Sequence, residues 1–397
     1  MSLPRILYVG TFPPHPGGTG VINGYLLKGL HDAGYPLSVV APASRGRAAV
    51  VGRLYPNIAL AEVPITLSPN APWLRPMDDP EKLTDIANLQ AAFTEIAERF
   101  NPEIVFTGRE DFLESVLPWT LRRGLPVVCR APGSGALMAD TYGAAARRAM
   151  FDLVGKADII IAPALHVAAG LAKNGFRNIV TIQNPVDMAR FRSGPIDREL
   201  AARFGLTSEH VVVAHVSNLK PVKRVQDIVA AAAQAVGRDP RLVFLVIGDG
   251  PDRKQLEEAI LESELNDHFR FTDWVDHAAV PGHLRLADMA LMPSSAEGLS
   301  SAYLEAMATG LPLLASDIAA AREVIDPGNN GFLFSVGDVD AIADLIVNVA
   351  ADPHLRQRVR SNARAYVEQN HRLEAAGDLL REVVADVVRQ GRAVGAT

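Results

Sequence analysis

Short apolar runs alternate with helix-patterned stretches along the whole chain, and few folds tolerate that pattern. In the first half the runs are ILYVG (6–10), LSVVAP (37–42), EIVFTG (103–108), PVVCRA (126–131), DIIIAP (158–163) and IVTIQN (179–184). In the second they are VVVAHV (211–216), LVFLVIG (242–248), FRFTDWV (269–275), MALMPS (289–294), LPLLAS (311–316) and GFLFSV (331–336). Runs that are apolar at nearly every position suit strands buried on both faces, and parallel strands need a crossover, usually a helix, between each pair. The pattern therefore predicts an α/β protein built on doubly wound parallel sheets. Proline, glycine and charge interrupt it at NPVDMARFRSGPID (184–197). Two Rossmann-like domains are expected, residues 1–190 and 191–371. Ligands of such sheets lie beyond the C-terminal strand ends, so the expected site is the cleft between two facing sheets.

At 397 residues the chain is long enough for two domains of ~150 to 200 residues, each with its own core. It is 48% hydrophobic and 21% charged, the balance of a soluble globular protein. No apolar run approaches the ~18 residues of a membrane-spanning helix, and the first residues lack the layout of a signal peptide. A cytoplasmic location is expected, with membrane association at most peripheral. The single cysteine, Cys129, excludes an internal disulfide and a thiolate zinc site. A net charge of −6 without a basic tract gives no footprint for nucleic acid. The paired arginines Arg122-Arg123 and Arg147-Arg148 read as solvated helix faces.

The stretch TFPPHPGGTG (11–20) joins the first strand to an amphipathic helix that Gly34 closes. It is not a P-loop, since no lysine follows the glycines, and Gly10, Gly17, Gly18 and Gly20 lack the dinucleotide-binding spacing. Gly17 and Gly18 could let backbone N–H groups approach an anion at the helix N-terminus, or simply supply a turn with positive φ.

The second half carries more chemistry. SNLKPVKRVQDIV places Lys220, Lys223 and Arg224 at a strand-to-helix turn. Cations oppose the dipole at a helix start, so three of them there suit a diphosphate better than a bare first turn. GDGPDR (248–253) is a tight turn able to approach a sugar, a common motif. In MPSSAEGLSSAYLEAMATG (292–310), Glu297 precedes a helix and Glu305 lies inside it. Were the span wholly helical, their Cα atoms would stand about 12 Å apart. A retaining glycosidase needs its carboxyl groups only ~5 to 5.5 Å apart. The two glutamates therefore suit the two ends of one elongated ligand better than one reacting bond.

The segment PSSAEGLSSAYLEAMATGLPLLASD resembles the E-x(7)-E signature of the retaining family 4 glycosyltransferases of GT-B fold. FPPHPGG is similar to their N-terminal Gly-Gly loop, QNPVDMARF to their interdomain linker, SNLKPVK to their R-x(4)-K phosphate site, and GDGP to their sugar-side turn. NGFLFSVGDVDAIADLI matches the segment after the signature helix, so the resemblance spans nearly the whole chain in order. It implies an N-terminal acceptor-binding domain, a C-terminal nucleotide-sugar domain, and a final helix, about 372–397, that packs back on the first. It further implies transfer of a hexose, with retention, from a nucleotide-diphosphate sugar, a UDP-sugar foremost, to an unidentified acceptor, whether a sugar, a lipid-linked sugar or a small metabolite. No metal or other cofactor is expected, because cationic side chains are available to do a metal's electrostatic work. By position, Glu305 would hold the donor ribose, Glu297 the transferred sugar, and Lys223 the departing diphosphate. Gly17, Gly18, Asn218, Lys220, Arg224, Gly248, Gly250, Gly298, Leu299 and Ser300 would line the donor, with the base near Trp274 and Val275.

Two departures from the family pattern stand out. Asn218 replaces the phosphate-site arginine, so Lys220 or Arg224 would compensate, and SNLKPVKRV resembles the version in the glucosaminyl-malate synthases of the family. Pro132 replaces the histidine usual near the transferred sugar, which leaves His15, Arg130 and Ser134 as acceptor-side candidates. Asp338 of the D-x-D triplet DVD sits where a helix N-cap is expected, and no histidines have metal-ligand spacing. A GT-B sugar phosphorylase, an epimerase, and a catalytically silent nucleotide-sugar-binding protein are the competing functions, and the glutamate pair argues against the epimerase.

Overall fold

The computed structural model describes residues 3–13, 17–44, 55–65, 79–133 and 143–394. His15 and Ser134 lie outside them. The chain forms two compact units, Met1–Pro185 with Leu373–Thr397, and Val186–Arg372.

The first unit is built on strands β1 (Ile6–Val9), β2 (Leu37–Pro42), β3 (Ala59–Val63), β4 (Ile104–Thr107), β5 (Val127–Arg130), β6 (Ile159–Ala162) and β7 (Ile179–Thr181). They are all parallel, in the order β3-β2-β1-β4-β5-β6-β7. The second has β8 (Val211–Val216), β9 (Leu242–Ile247), β10 (Phe269–Phe271), β11 (Met289–Met292), β12 (Leu313–Ser316) and β13 (Gly331–Phe334). These too are parallel, in the order β10-β9-β8-β11-β12-β13. Each sheet reverses its strand order once, between β1 and β4 and between β8 and β11, and a crevice for ligands opens at such a reversal.

The central strands are buried along their whole length, as helices on both faces of a parallel sheet require. In the second unit Val211, Val213, Phe244, Val246 and Leu291 pack with Val225, Ile228, Val229 and Ala232 of the helix Val225–Val236. Each buried valine, isoleucine, leucine or phenylalanine among them contributes about 1.5 to 3 kcal/mol by leaving water. The first unit recruits the end of the chain. Ala376, Leu380, Val383, Val384 and Val387 of the helix Leu373–Val394 join Ile22, Leu26 and Leu30 of the helix Gly18–Asp32 in one cluster. The two helices cross closely where a Cβ on Gly29 would lie 3.0 Å from the Cα of Gly377.

Two strands differ from the sequence expectation. Strand β3 was not foreseen: it is the sheet edge, its sequence ALAEV is buried only at Val63, and so it carries no apolar run. Strand β10 ends at Phe271 rather than 275, because Asp273 takes φ 58° and turns the chain. Near the C-terminus the helices Pro353–Asn370 and Leu373–Val394 follow one another, and between them His371 O accepts a hydrogen bond from Val186 N at 2.9 Å.

Candidate active site

In the second unit the loops after β8 and β11 leave neighbouring strands at the reversal, so their side chains meet. Lys223 Nζ donates to Glu297 Oε1 at 2.5 Å, and Ser294 Oγ donates to the same oxygen at 2.8 Å. The loop backbones are joined where Ser295 N donates to Val222 O at 2.9 Å. The lysine and glutamate side chains are 18% and 12% exposed. Partial enclosure strengthens such a pair over one on an open surface. Tyr303 is fully buried nearby, and its hydroxyl stays protonated because of burial and the Glu297 charge. Gly298, Leu299 and Ser300 lead into the helix Ser301–Thr309, with Ser300 as its extended N-cap. The N–H groups of a helix start suit an anion.

The three cations of the β8 loop are not equivalent. Lys220 precedes the 3₁₀ turn Pro221–Lys223, and Arg224, at φ 50°, caps the helix Val225–Val236. The Arg224 guanidinium engages Asp227 through two hydrogen bonds of 2.7 and 3.0 Å. Arg224 thus has a structural partner on its own helix, whereas Lys223 bonds across to the neighbouring loop. Asn218 and Lys220 are partly buried on the same loop.

Glu305 is 6% exposed, one helical turn and more from the loop that carries Glu297. Its Oε1 lies 2.8 Å from His277 Nε2, a partner the sequence did not reveal. The His277 ring packs on Phe191 with centroids 5.3 Å apart, and Arg190 donates to the His277 carbonyl at 3.2 Å. The linker segment therefore fixes the histidine that fixes the glutamate. On the same β10 loop, Val275 is partly buried and Trp274 is 53% exposed. Ahead of them Asp273 pairs with Arg253 at 3.0 Å, and the Arg253 guanidinium lies 3.8 Å from the Phe271 ring centre.

The glycines of GDGP have a structural cause. A Cβ on Gly248 would lie 2.0 Å from Ser217 O, and one on Gly250 would lie 2.0 Å from Asn218 O. The β9 turn thus packs directly on the backbone of the loop after β8. Asp252 N adds a hydrogen bond to Leu219 O at 2.9 Å.

In the first unit, Gly17 takes φ 99° as N-cap of the helix beginning at Gly18, and a Cβ there would meet nothing within 4 Å. Conformation, not crowding, calls for this glycine. Arg130 ends β5 and is 1% exposed; it donates to Asn23 Oδ1 at 3.3 Å and Asn184 Oδ1 at 2.6 Å. Both terminal nitrogens are engaged within the unit, and burial draws its pKa down to about 10. Pro132, which follows, is partly buried. Glu110, after β4, is 1% exposed, and burial pushes its carboxyl up to about 7. Asp338 caps the helix Val339–Ala351 by accepting from Ala341 N at 3.0 Å.

Two doubly wound parallel sheets in one chain, of seven and six strands, define the GT-B architecture. Residues 16–190 match the Glycosyltransferase Family 4 model and residues 197–366 match Glycosyl transferases group 1. The chain belongs to the family 4 glycosyltransferases of GT-B fold. It is 25% identical over 386 residues to the N-acetyl-alpha-D-glucosaminyl L-malate synthase of Bacillus anthracis, covering 96% of both chains. It is 30% identical over 189 residues to the alpha-D-kanosaminyltransferase of Streptomyces kanamyceticus, covering 48% of this chain and 49% of that one. Among solved structures, HepE of Anabaena in complex with UDP-glucose superposes with a TM-score of 0.82 at 21% identity, over 96% of this chain and 100% of that one. Among the described residues no helix is long and apolar enough to cross a membrane.

Proposed function

We propose that this glycosyltransferase moves a hexose from a UDP-sugar to a small polar acceptor with retention of anomeric configuration and without a metal ion. The observation that carries the reading is the meeting of Lys223 and Glu297 at the strand reversal, at 2.5 Å. When a glycosyl bond breaks, negative charge grows on the diphosphate and positive charge on the anomeric carbon, and a cation and a carboxylate side by side serve both. Lys223 takes the diphosphate and Glu297 the sugar. Glu305, steadied by His277, takes the ribose hydroxyls. The N–H groups of Gly298 to Ser300 take remaining phosphate oxygens. The β10 turn at Trp274 and Val275 holds the base. The first unit binds the acceptor, with Arg130 as the buried brace beneath that surface through its bonds to Asn23 and Asn184.

A UDP-sugar is favoured because the structurally similar HepE binds UDP-glucose. A small acceptor is favoured because a relative aligned over nearly the whole chain is named an N-acetyl-alpha-D-glucosaminyl L-malate synthase. The test is incubation with UDP-glucose and UDP-N-acetylglucosamine against L-malate and other small hydroxylated acceptors, with NMR of the product. Transfer with the donor's configuration is expected. An inverted product removes the retaining assignment, a requirement for inorganic phosphate indicates a phosphorylase, and absence of both transfer and donor hydrolysis indicates a binding protein.

A further inference from the structure

Strands β8 and β11 carry the two halves of the proposed site, yet their backbone pairing is short. The register runs only through Met289↔Val213 and Ala290↔Ala214, while β8 stays paired with β9 as far as Val216↔Ile247. One residue past the last β8–β11 pair, His215 spans the gap. Its Nδ1 lies 2.9 Å from Leu291 O, and its Nε2 lies 2.8 Å from Ser217 Oγ. A carbonyl only accepts, so Nδ1 carries the proton and Nε2 accepts from the serine hydroxyl. Ser217 Oγ in turn accepts from Leu219 N at 3.1 Å.

Leu219 needs such a hold. It is fully buried at φ 29°, a conformation that costs a non-glycine residue free energy and persists only where surrounding bonds enforce it. From Leu219 the chain enters the turn that presents Lys223, and from Leu291 it enters the loop that presents Glu297. We propose that His215 is a positioning residue that carries the β8–β11 register past the end of the backbone ladder, and so sets Lys223 against Glu297 and the donor diphosphate. This rests on the donor-site assignment above.

Histidine suits the task because one small ring donates at one end and accepts at the other, provided it stays neutral. Neutrality is secured by burial first, with the Lys223 charge adding to it, and the ring titrates only at about pH 4. A histidine that merely fills the core would need no particular tautomer and would have no effect confined to the diphosphate.

The test compares UDP and uridine affinity by calorimetry, together with kcat and KM for the donor, in Ser217→Ala, Ser217→Thr, His215→Gln and Lys223→Ala. Circular dichroism establishes that each is folded. Ser217→Ala and His215→Gln should weaken UDP roughly tenfold and lower kcat. Uridine affinity should stay within about twofold of wild type, and Ser217→Thr, which keeps the hydroxyl, should restore both values. Nitrogen-15 NMR should show His215 as the neutral Nδ1–H tautomer at pH 7. Wild-type UDP affinity and kcat in folded Ser217→Ala, equal weakening of uridine and UDP, or an Nε2–H tautomer each overturns the proposal. Lys223→Ala separates the levels: if it weakens UDP while Ser217→Ala does not, only the role of His215 falls, and if neither does, the donor-site assignment falls with it.

Discussion

Glu305 and His277 are 28 positions apart in the sequence and 2.8 Å apart in the fold, joined across the second unit where the β10 loop meets the helix after β11. The carboxylate expected to grip a ribose is therefore oriented before any substrate arrives. Preorganisation of this kind lowers the cost of ordering a side chain on binding.

Glu305→Ala and Lys223→Ala are each expected to weaken nucleoside diphosphate binding by about 1.5 to 3 kcal/mol, the usual cost of a charge-assisted hydrogen bond. Calorimetric titration with UDP reads this directly. Unchanged affinity in both folded variants contradicts the ribose and phosphate roles.

Glu297→Gln is expected to separate binding from chemistry. The amide keeps a hydrogen-bond acceptor for Ser294 and releases Lys223 from its carboxylate, so UDP affinity should not fall. The rate should drop by ~100- to 1000-fold, because the charge matters as positive charge develops at the anomeric carbon. Stopped-time assays at saturating donor measure it, and a wild-type kcat removes Glu297 from the reaction.

Turnover should survive exhaustive chelation. The D-x-D triplet is not poised as a metal motif, since Asp338 caps a helix and Asp340 accepts from Gln234 Nε2 at 2.8 Å. Loss of activity with EDTA and its recovery with magnesium or manganese contradicts a metal-free mechanism.

Gly250→Ala should destabilise the second unit and weaken UDP together. The added methyl would sit 2.0 Å from Asn218 O, backbone that cannot rotate away, and overpacking of this kind typically costs about 1 to 3 kcal/mol. Thermal melting and UDP titration of the same preparation check both effects. A melting temperature equal to wild type would show that the two loops can part freely.

Stability should decline between about pH 4.5 and 7 in a way that Glu110→Gln removes. Burial raises the Glu110 carboxyl from 4.5 to about 7. Within that window the folded protein holds a proton the unfolded chain has released, so rising pH favours unfolding until the folded group ionises. The full effect is on the order of 3 kcal/mol. Melting temperatures of wild type and variant across this range should converge at the acid end and separate above pH 7, with the variant the more stable. Parallel curves would mean that Glu110 titrates normally.

The sequence disclosed the sheets well because strands buried on both faces must be apolar throughout. Strand β3 escaped because an edge strand lacks that demand, and Glu62 and two alanines leave it no signature. Motif position singled out Lys223, Glu297 and Glu305, and the fold brings the first two into contact and buries the third on the helix that follows. Their partners were not. His277 reaches Glu305 only because β10 and β11 flank the β9–β8 pair, and no local pattern encodes that meeting. The GDGP glycines were read as approach points for a sugar, while the structure gives them a packing duty against Ser217 and Asn218. His15 and Ser134 fall outside the described residues, and Arg130 has a buried structural partnership that its strand-end position did not announce.

Because the helix Leu373–Val394 belongs to the core of the first unit, that unit is interrupted by the whole of the second. During synthesis the apolar stripe of the helix Gly18–Asp32, with Ile22, Leu26 and Leu30, must wait for Leu380 and Val384 to leave the ribosome. The second unit, continuous in the chain, can mature first, against the usual N-to-C order of domain folding. A nascent chain stalled after residue 372 would then carry a finished second unit and an N-terminal unit with an open hydrophobic seam, the species a chaperone would be called upon to shield.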